Sequence, residues 1–240
     1  MKEQKKLQKG KFAVSSGLSR ADCNDGRIFD HWADTHAVVT NPNGSKYWTE
    51  PKQGCIGSCW FIAALVSVAQ VANGRLNVHP NYRFYDTITG AWGDWFRMAN
   101  NQLPVDNSGN LVYARSTSLY IWPCLYEKAY AVWKEGTPTP TYASLAGGRA
   151  DNALQAITGG VLGPSRTMPA FDGLGTPRRP AVASTNANAG GTLRPNHDYS
   201  IVRRINNQTF TLRDPCSCGS VNVTTAELNN YFVEWRYITV

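Results

Sequence analysis

A chain of 240 residues, 42% of them hydrophobic, holds enough apolar material for one large domain or two lobes sharing an interface. No apolar run approaches the ~18 residues of a membrane span, and no apolar h-region follows the lysine-rich start, so the sequence predicts a soluble, intracellular protein of the cytoplasm. The formal charge of +7 does not mark a nucleic-acid binder: five lysines and one glutamate stand in the first 11 residues, and the rest is close to balance.

In chain order, residues 1–26 read as a solvated basic tail and lead-in. A first helix is predicted from Cys59, with Gly57 as turn and Ser58 as N-cap, through Trp60 to Ala72, and Asn73-Gly74 as its stop. Apolar residues surround it on every side, which predicts a helix buried inside a domain. A second helix runs from about Pro123 to Gly136, with Trp122, Leu125, Tyr126, Ala129, Tyr130 and Trp133 at a spacing that gives one packing face. A third, shorter one follows Asp151 and stops at Gly159-Gly160. Residues 163–195, rich in Gly, Pro, Asn, Ser and Thr, read as a long irregular connection. Strands follow over Tyr199–Ile205, Gln208–Arg213 and about Phe232–Val240, the first two joined at Asn206-Asn207.

Helices first and strands last predict an α+β protein of two lobes: a helical lobe over 27–162 and a β-rich antiparallel lobe over 163–240, with the site in the cleft between them.

Thiol chemistry needs a thiolate, which the unpaired N–H groups and positive dipole end at a helix start favour. Cys59 stands at such a start. Gln53 opens the Gln53-Gly54-Cys55-Ile56-Gly57-Ser58-Cys59-Trp60 segment, whose glycines let the loop fold its amide back beside the sulfur as an oxyanion donor, with the Cys59 N–H as the second. His197 lies just before the first hairpin strand and Asp214 just after the second, so pairing about Asn206-Asn207 brings a base and its orienting group together. Each residue alone has a bland explanation as packing, polar or turn residue. The four together point to nucleophilic catalysis.

Six cysteines in a chain of this size without a readable signal do not form a disulfide framework. Cys55, Cys59, Cys216 and Cys218 could make a four-thiolate zinc site, but their spacings are not those of paired C-x2-C ligands.

The segment from Gln53-Gly54 to Ala64 resembles the active-site segment of calpains, and Gly57-Ser58-Cys59-Trp60 is shared with papain. The resemblance continues in calpain order through Trp122-Pro123 and Glu127 to Ala131, Tyr142 to Gly148, Leu154 to Gly160, and His197-Asp198-Tyr199-Ser200-Ile201-Val202. It implies a papain-like fold and limited proteolysis of protein or peptide substrates through a thioester. Cys59 would be the nucleophile, His197 the base and Gln53 the oxyanion donor, while the backbones of Gly148 and Asn196 would hold substrate, Asn196 in place of a glycine. Asp214-Pro215-Cys216-Ser217 departs from the calpain Asn-Pro-Trp-Gly: a carboxylate replaces the orienting amide, and the shielding tryptophan is lost.

Glu50 stands near a calcium-ligand position of the calpain lobes, but Tyr120 replaces its partner acid and the acidic segment expected before Thr224 is absent. No cofactor and no calcium dependence are therefore expected. Cys216, a thiol in place of the indole, is expected to be a small buried thiol next to Cys218, with a reversible Cys59–Cys216 disulfide as the sharper alternative. Other acyl transfers, deamidation or transpeptidation, would use the same residues. A non-catalytic module docking through the lysine tail and Arg178-Arg179 is the more distant alternative, and the chain may be part of a larger protein.

Overall fold

The computed structural model describes residues 29–35, 38–40, 44–77 and 79–240; the predicted basic tail lies outside them. Four helices and antiparallel strand pairs make a mixed α+β structure. The helices are α1 (Cys59–Val71), α2 (Trp122–Glu135), α3 (Ala150–Thr158) and α4 (Thr225–Tyr231). The largest sheet has six strands, β1 (Val161–Leu162), β2 (Ala181–Thr185), β3 (Asp198–Asn206), β4 (Thr209–Arg213), β5 (Ser220–Thr224) and β6 (Phe232–Thr239). Its order is β5-β4-β3-β2-β6-β1, antiparallel throughout. Short ladders pair His31–Ala33 with Leu103–Val105 and Pro51–Lys52 with Arg115–Ser116.

Every residue from Trp60 to Ala69 in α1 is buried, as its all-round apolar pattern requires. Full burial of each of its large side chains contributes about 1.5–3 kcal/mol. On one side α1 meets β2 and β3 through polar bonds that fix its position: Ser200 Oγ donates to Ala63 O at 2.6 Å, Ser67 Oγ to Ala181 O at 2.9 Å, and Gln70 Nε2 to Val202 O at 2.9 Å. On the other side Phe61 packs against Tyr126 and Tyr130 of α2.

Two apolar clusters result. One gathers α1, α2, α3 and the loops of the first half with Val182 and Ile238 from the sheet; the other lies on the far face, around Tyr199, Ile201, Leu212, Phe232 and Trp235. In β3, alternate residues serve alternate faces, with Ser200 turned to α1 and Tyr199 and Ile201 to the second cluster.

Helix ends follow the sequence. Gly136 and Gly159 adopt φ +66° and +64° as left-handed C-caps of α2 and α3. Three features differ from expectation. α2 is buried from Trp122 to Ala131 rather than on one face, and its inner charged groups find partners there: Lys128 Nζ donates to Asn100 Oδ1 and Gln102 O and lies over Trp32, and Glu127 accepts from Ala114 N through Oε2, its Oε1 having no hydrogen-bond partner. The connection 163–195 contains β2, the strand between β3 and β6. β5 and α4 add a further strand and helix beyond those predicted, α4 with a complete capping box between Thr224 and Glu227. No described helix is long and apolar enough to cross a membrane.

Candidate active site

The segment leading to Cys59 is held from two sides. Cys55 N donates to Val112 O at 2.9 Å, and a Cβ on Gly54 would stand 2.0 Å from Tyr113 O, so only glycine fits that approach. From the other half of the chain, the Arg213 guanidinium donates to Thr49 O and Pro51 O at 2.6 and 2.9 Å, and Pro215 O accepts from Gln53 N at 2.8 Å. Gln53 Nε2 donates to Ile56 O at 2.8 Å, which keeps its amide inside the turn before the sulfur. Ser58 takes the N-cap position as expected, but its side chain makes no cap bond, and Cys59 is the first helical residue.

His197 and Asp214 come together as the hairpin predicts. β3 and β4 pair Ser200 with Arg213, and beyond that pair His197 Nε2 meets Asp214 Oδ1 at 2.9 Å. The His197 backbone is fixed to Thr185 at the end of β2, through Thr185 N to His197 O and His197 N to Thr185 Oγ1, each 2.9 Å. Asp214 is further held by Cys216 N on Oδ1 at 2.8 Å, and by Ser217 Oγ and Arg194 Nε on Oδ2 at 2.9 and 3.0 Å. Burial alone would raise this carboxyl, but the hydrogen bond and charge of His197 and the Cys216 and Ser217 donors hold it well below the ordinary carboxylate range. Arg194, which sequence reasoning missed, has an electrostatic consequence. An Asp214–Arg194 pair sums to zero, so the imidazole faces a neutral unit, as it would beside an amide.

The second residue missed is Asp198. Its Oδ2 accepts from Cys59 Sγ at 3.8 Å, and Ser184 Oγ donates to its Oδ1. The residue is 8% exposed. Burial, then the charge of Asp198, pushes the Cys59 thiol up to about 12; burial likewise raises Asp198, opposed by the Ser184 bond. A signal for it existed in the sequence. Ser200 faces α1, so the period-2 alternation of β3 places Asp198 on that same face, toward the helix that begins with Cys59.

Gly148 and Asn196 are both exposed. A Cβ on Gly148 would stand 2.4 Å from the Trp60 ring, and Gly147 N donates to Gly57 O at 3.1 Å, so this loop runs close beside the Cys59 turn. Asn196 has φ +48°, the left-handed region that asparagine tolerates best after glycine.

Both Glu50 oxygens are taken by protein donors: Ser118 Oγ on Oε1, and the Trp122 indole and Tyr47 N on Oε2. Among the described residues no three His, Cys, Asp or Glu side chains converge as a metal site.

Neither reading of Cys216 holds: it is not a plain thiol and it is not crosslinked to Cys59. Cys216 is in a disulfide, whereas Cys55, Cys59, Cys124 and Cys218 are not. A disulfide sulfur is no thiolate ligand, so the four-cysteine zinc arrangement fails as well. The disulfide also corrects the expectation of a chain without one, and removes a support for a cytoplasmic location.

Comparison with known proteins gives the family. The model of the calpain family cysteine proteases matches residues 30–172, more than half of the chain, which includes Gln53, Cys59 and Gly148 but not His197 or Asp214. Calpain-14 of Homo sapiens is 35% identical over 45% of this chain, Calpain-13 of Rattus norvegicus 33% over 46%, and Calpain clp-4 of Caenorhabditis elegans 31% over 54%. These matches span only 17%, 17% and 19% of the relatives' own lengths. By the family match and the order of its motifs, the chain belongs to the calpain family of cysteine proteases.

Proposed function

We propose that the chain is a cysteine endopeptidase of protein or peptide substrates, with Cys59 as nucleophile, His197 as base and Asp214 as the group that orients it. The observation that carries this reading is the 2.9 Å bond from His197 Nε2 to Asp214 Oδ1, made by the residue next in sequence to the one that touches Cys59 Sγ. With Nε2 engaged, Nδ1 is the ring nitrogen that serves the sulfur.

Cys59 Sγ attacks the scissile carbonyl carbon and its proton passes to His197. The oxyanion is held by the Gln53 amide and the Cys59 N–H, and His197 gives the proton to the leaving amine. Water, deprotonated by His197, then cleaves the thioester. The backbones of Gly148 and Asn196 border the place where a substrate strand would lie.

The fold this implies is papain-like, divided near 162/163 into a helical lobe and a β-rich lobe; the two apolar clusters support the division. Calcium independence is part of the proposal, supported by the satisfied Glu50 carboxylate. Incubation with an unfolded protein followed by sequencing of new amino termini tests the reaction. New termini that vanish in Cys59→Ala support peptide hydrolysis, whereas deamidated glutamines without new termini favour the other acyl transfer.

One observation favours a second reading, a non-catalytic member of the family: the carboxylate beside the sulfur opposes thiolate formation.

A further inference from the structure

Summing the charges of the reactive state isolates one residue. Thiolate and imidazolium cancel, and Asp214 cancels with Arg194. Asp198 is left over. Its protein partners are the neutral donors Ser184 from β2 and Cys59 from α1, and no Lys or Arg among the described residues lies within ion-pair distance of it. Arg149, whose field reaches Asp198, is held on Asp151 by two bonds of 3.0 and 2.7 Å. Asp151 of α3 bears on Asp198 with like sign, though it is itself paired with Arg149 and Arg236, and His197 is the other group whose charge reaches Asp198. A buried carboxylate so placed opposes the charge that the nucleophile must acquire.

Resting on the peptidase reading, we propose that Asp198 determines specificity by taking the cationic side chain of a lysine or arginine next to the scissile bond. A carbonyl poised at Cys59 Sγ brings the flanking substrate residues to within a long side chain's reach of a carboxylate 3.8 Å from that sulfur. Each carboxylate oxygen accepts one bond from the protein, which leaves lone pairs for a guanidinium or ammonium. The bound cation cancels the charge that suppresses the thiolate, so binding the right substrate also arms the nucleophile. The preference then shows in kcat as well as in KM.

Two measurements on the folded chain test this. Peptides with Arg, Lys, Leu or Glu in turn on each side of the bond are compared in wild type and Asp198→Asn. Wild type is expected to favour Arg and Lys over Leu by about 10-fold or more in kcat/KM, and the variant to lose that preference. Separately, alkylation of Cys59 by iodoacetamide is followed with and without agmatine. Agmatine should accelerate it in wild type and leave Asp198→Asn, already faster, unchanged.

The alkylation needs no turnover: acceleration without any peptide hydrolysis keeps the cation site and sinks the peptidase reading. Hydrolysis with no basic preference in wild type does the reverse, and does so even where Asp198→Asn fails to fold. A basic preference retained in the variant overturns the proposal too.

Discussion

His197 sits against a carboxylate where calpains have an amide, and Arg194 is what makes that exchange tolerable. Removing Arg194 alone, as Arg194→Gln, leaves the Asp214 charge uncompensated, and Asp214→Asn alone leaves the guanidinium unpaired, so each single variant should lose stability. The double variant should lose less than the two single losses added. Thermal melts of all three read this coupling, and strictly additive losses would refute the compensation. The sign for stability follows from the depressed Asp214 carboxyl: its contribution is complete above the unfolded carboxylate value of about 4 and fades as pH falls below that. Cys59, Gln53, His197 and Asp214 were legible in the sequence because turn, helix start and hairpin are local signals. Arg194 was not, since it reaches Asp214 from an irregular stretch whose path no periodicity encodes. Asp198 is legible through the period-2 alternation of β3, a signal that only Ser200's contact with α1 gives a direction.

At the level of elements, the loop that carries Gly148 is set by its contact with α1. The Trp60 ring cannot retreat: it is 3% exposed, donates from Nε1 to Leu145 O at 3.1 Å, and packs edge-on against Phe61 and Tyr130. Gly148→Ala should therefore push the loop outward, at a cost of about 1–3 kcal/mol in stability and with a larger loss in kcat/KM than that cost alone implies. Gly74→Ala, where an added Cβ meets nothing within 4 Å, is the control expected to melt and turn over like wild type. Thermal melts with peptide turnover check both; equal behaviour of the two variants would contradict the account. The helices were readable because glycine stops and apolar runs mark them. β2 escaped because Ala181-Val182-Ala183-Ser184-Thr185 has small side chains between Pro180 and Asn186, a pattern that composition reads as loop, yet small residues are what a strand buried on both faces can accommodate. The Thr224-x-x-Glu227 capping box of α4 is a local signal present in the sequence.

Across the whole molecule, the contacts between the helical half and the sheet are made by the chain's own groups. Ser67 and Ser200 bind the backbones of Ala181 and Ala63, and Arg213 reaches back to Thr49 and Pro51. On the proposed reading, an alignment fixed by such buried bonds needs no added cation. Turnover in a chelator should accordingly match that in micromolar calcium, and a severalfold rise on calcium addition would contradict it. The α+β class was legible from the order of helices and strands; the sheet order was not, because β2 enters between β3 and β6 by a crossover that leaves no local trace.

The central claim is that His197 activates Cys59, and labelling with an irreversible epoxysuccinyl peptide, read by intact mass and peptide mapping, tests it most directly. The account predicts a single adduct on Cys59 in wild type, none in Cys59→Ala, and labelling slower by about 100-fold or more in His197→Ala. Equal rates in wild type and His197→Ala, or adducts spread over Cys55 and Cys218, would contradict it.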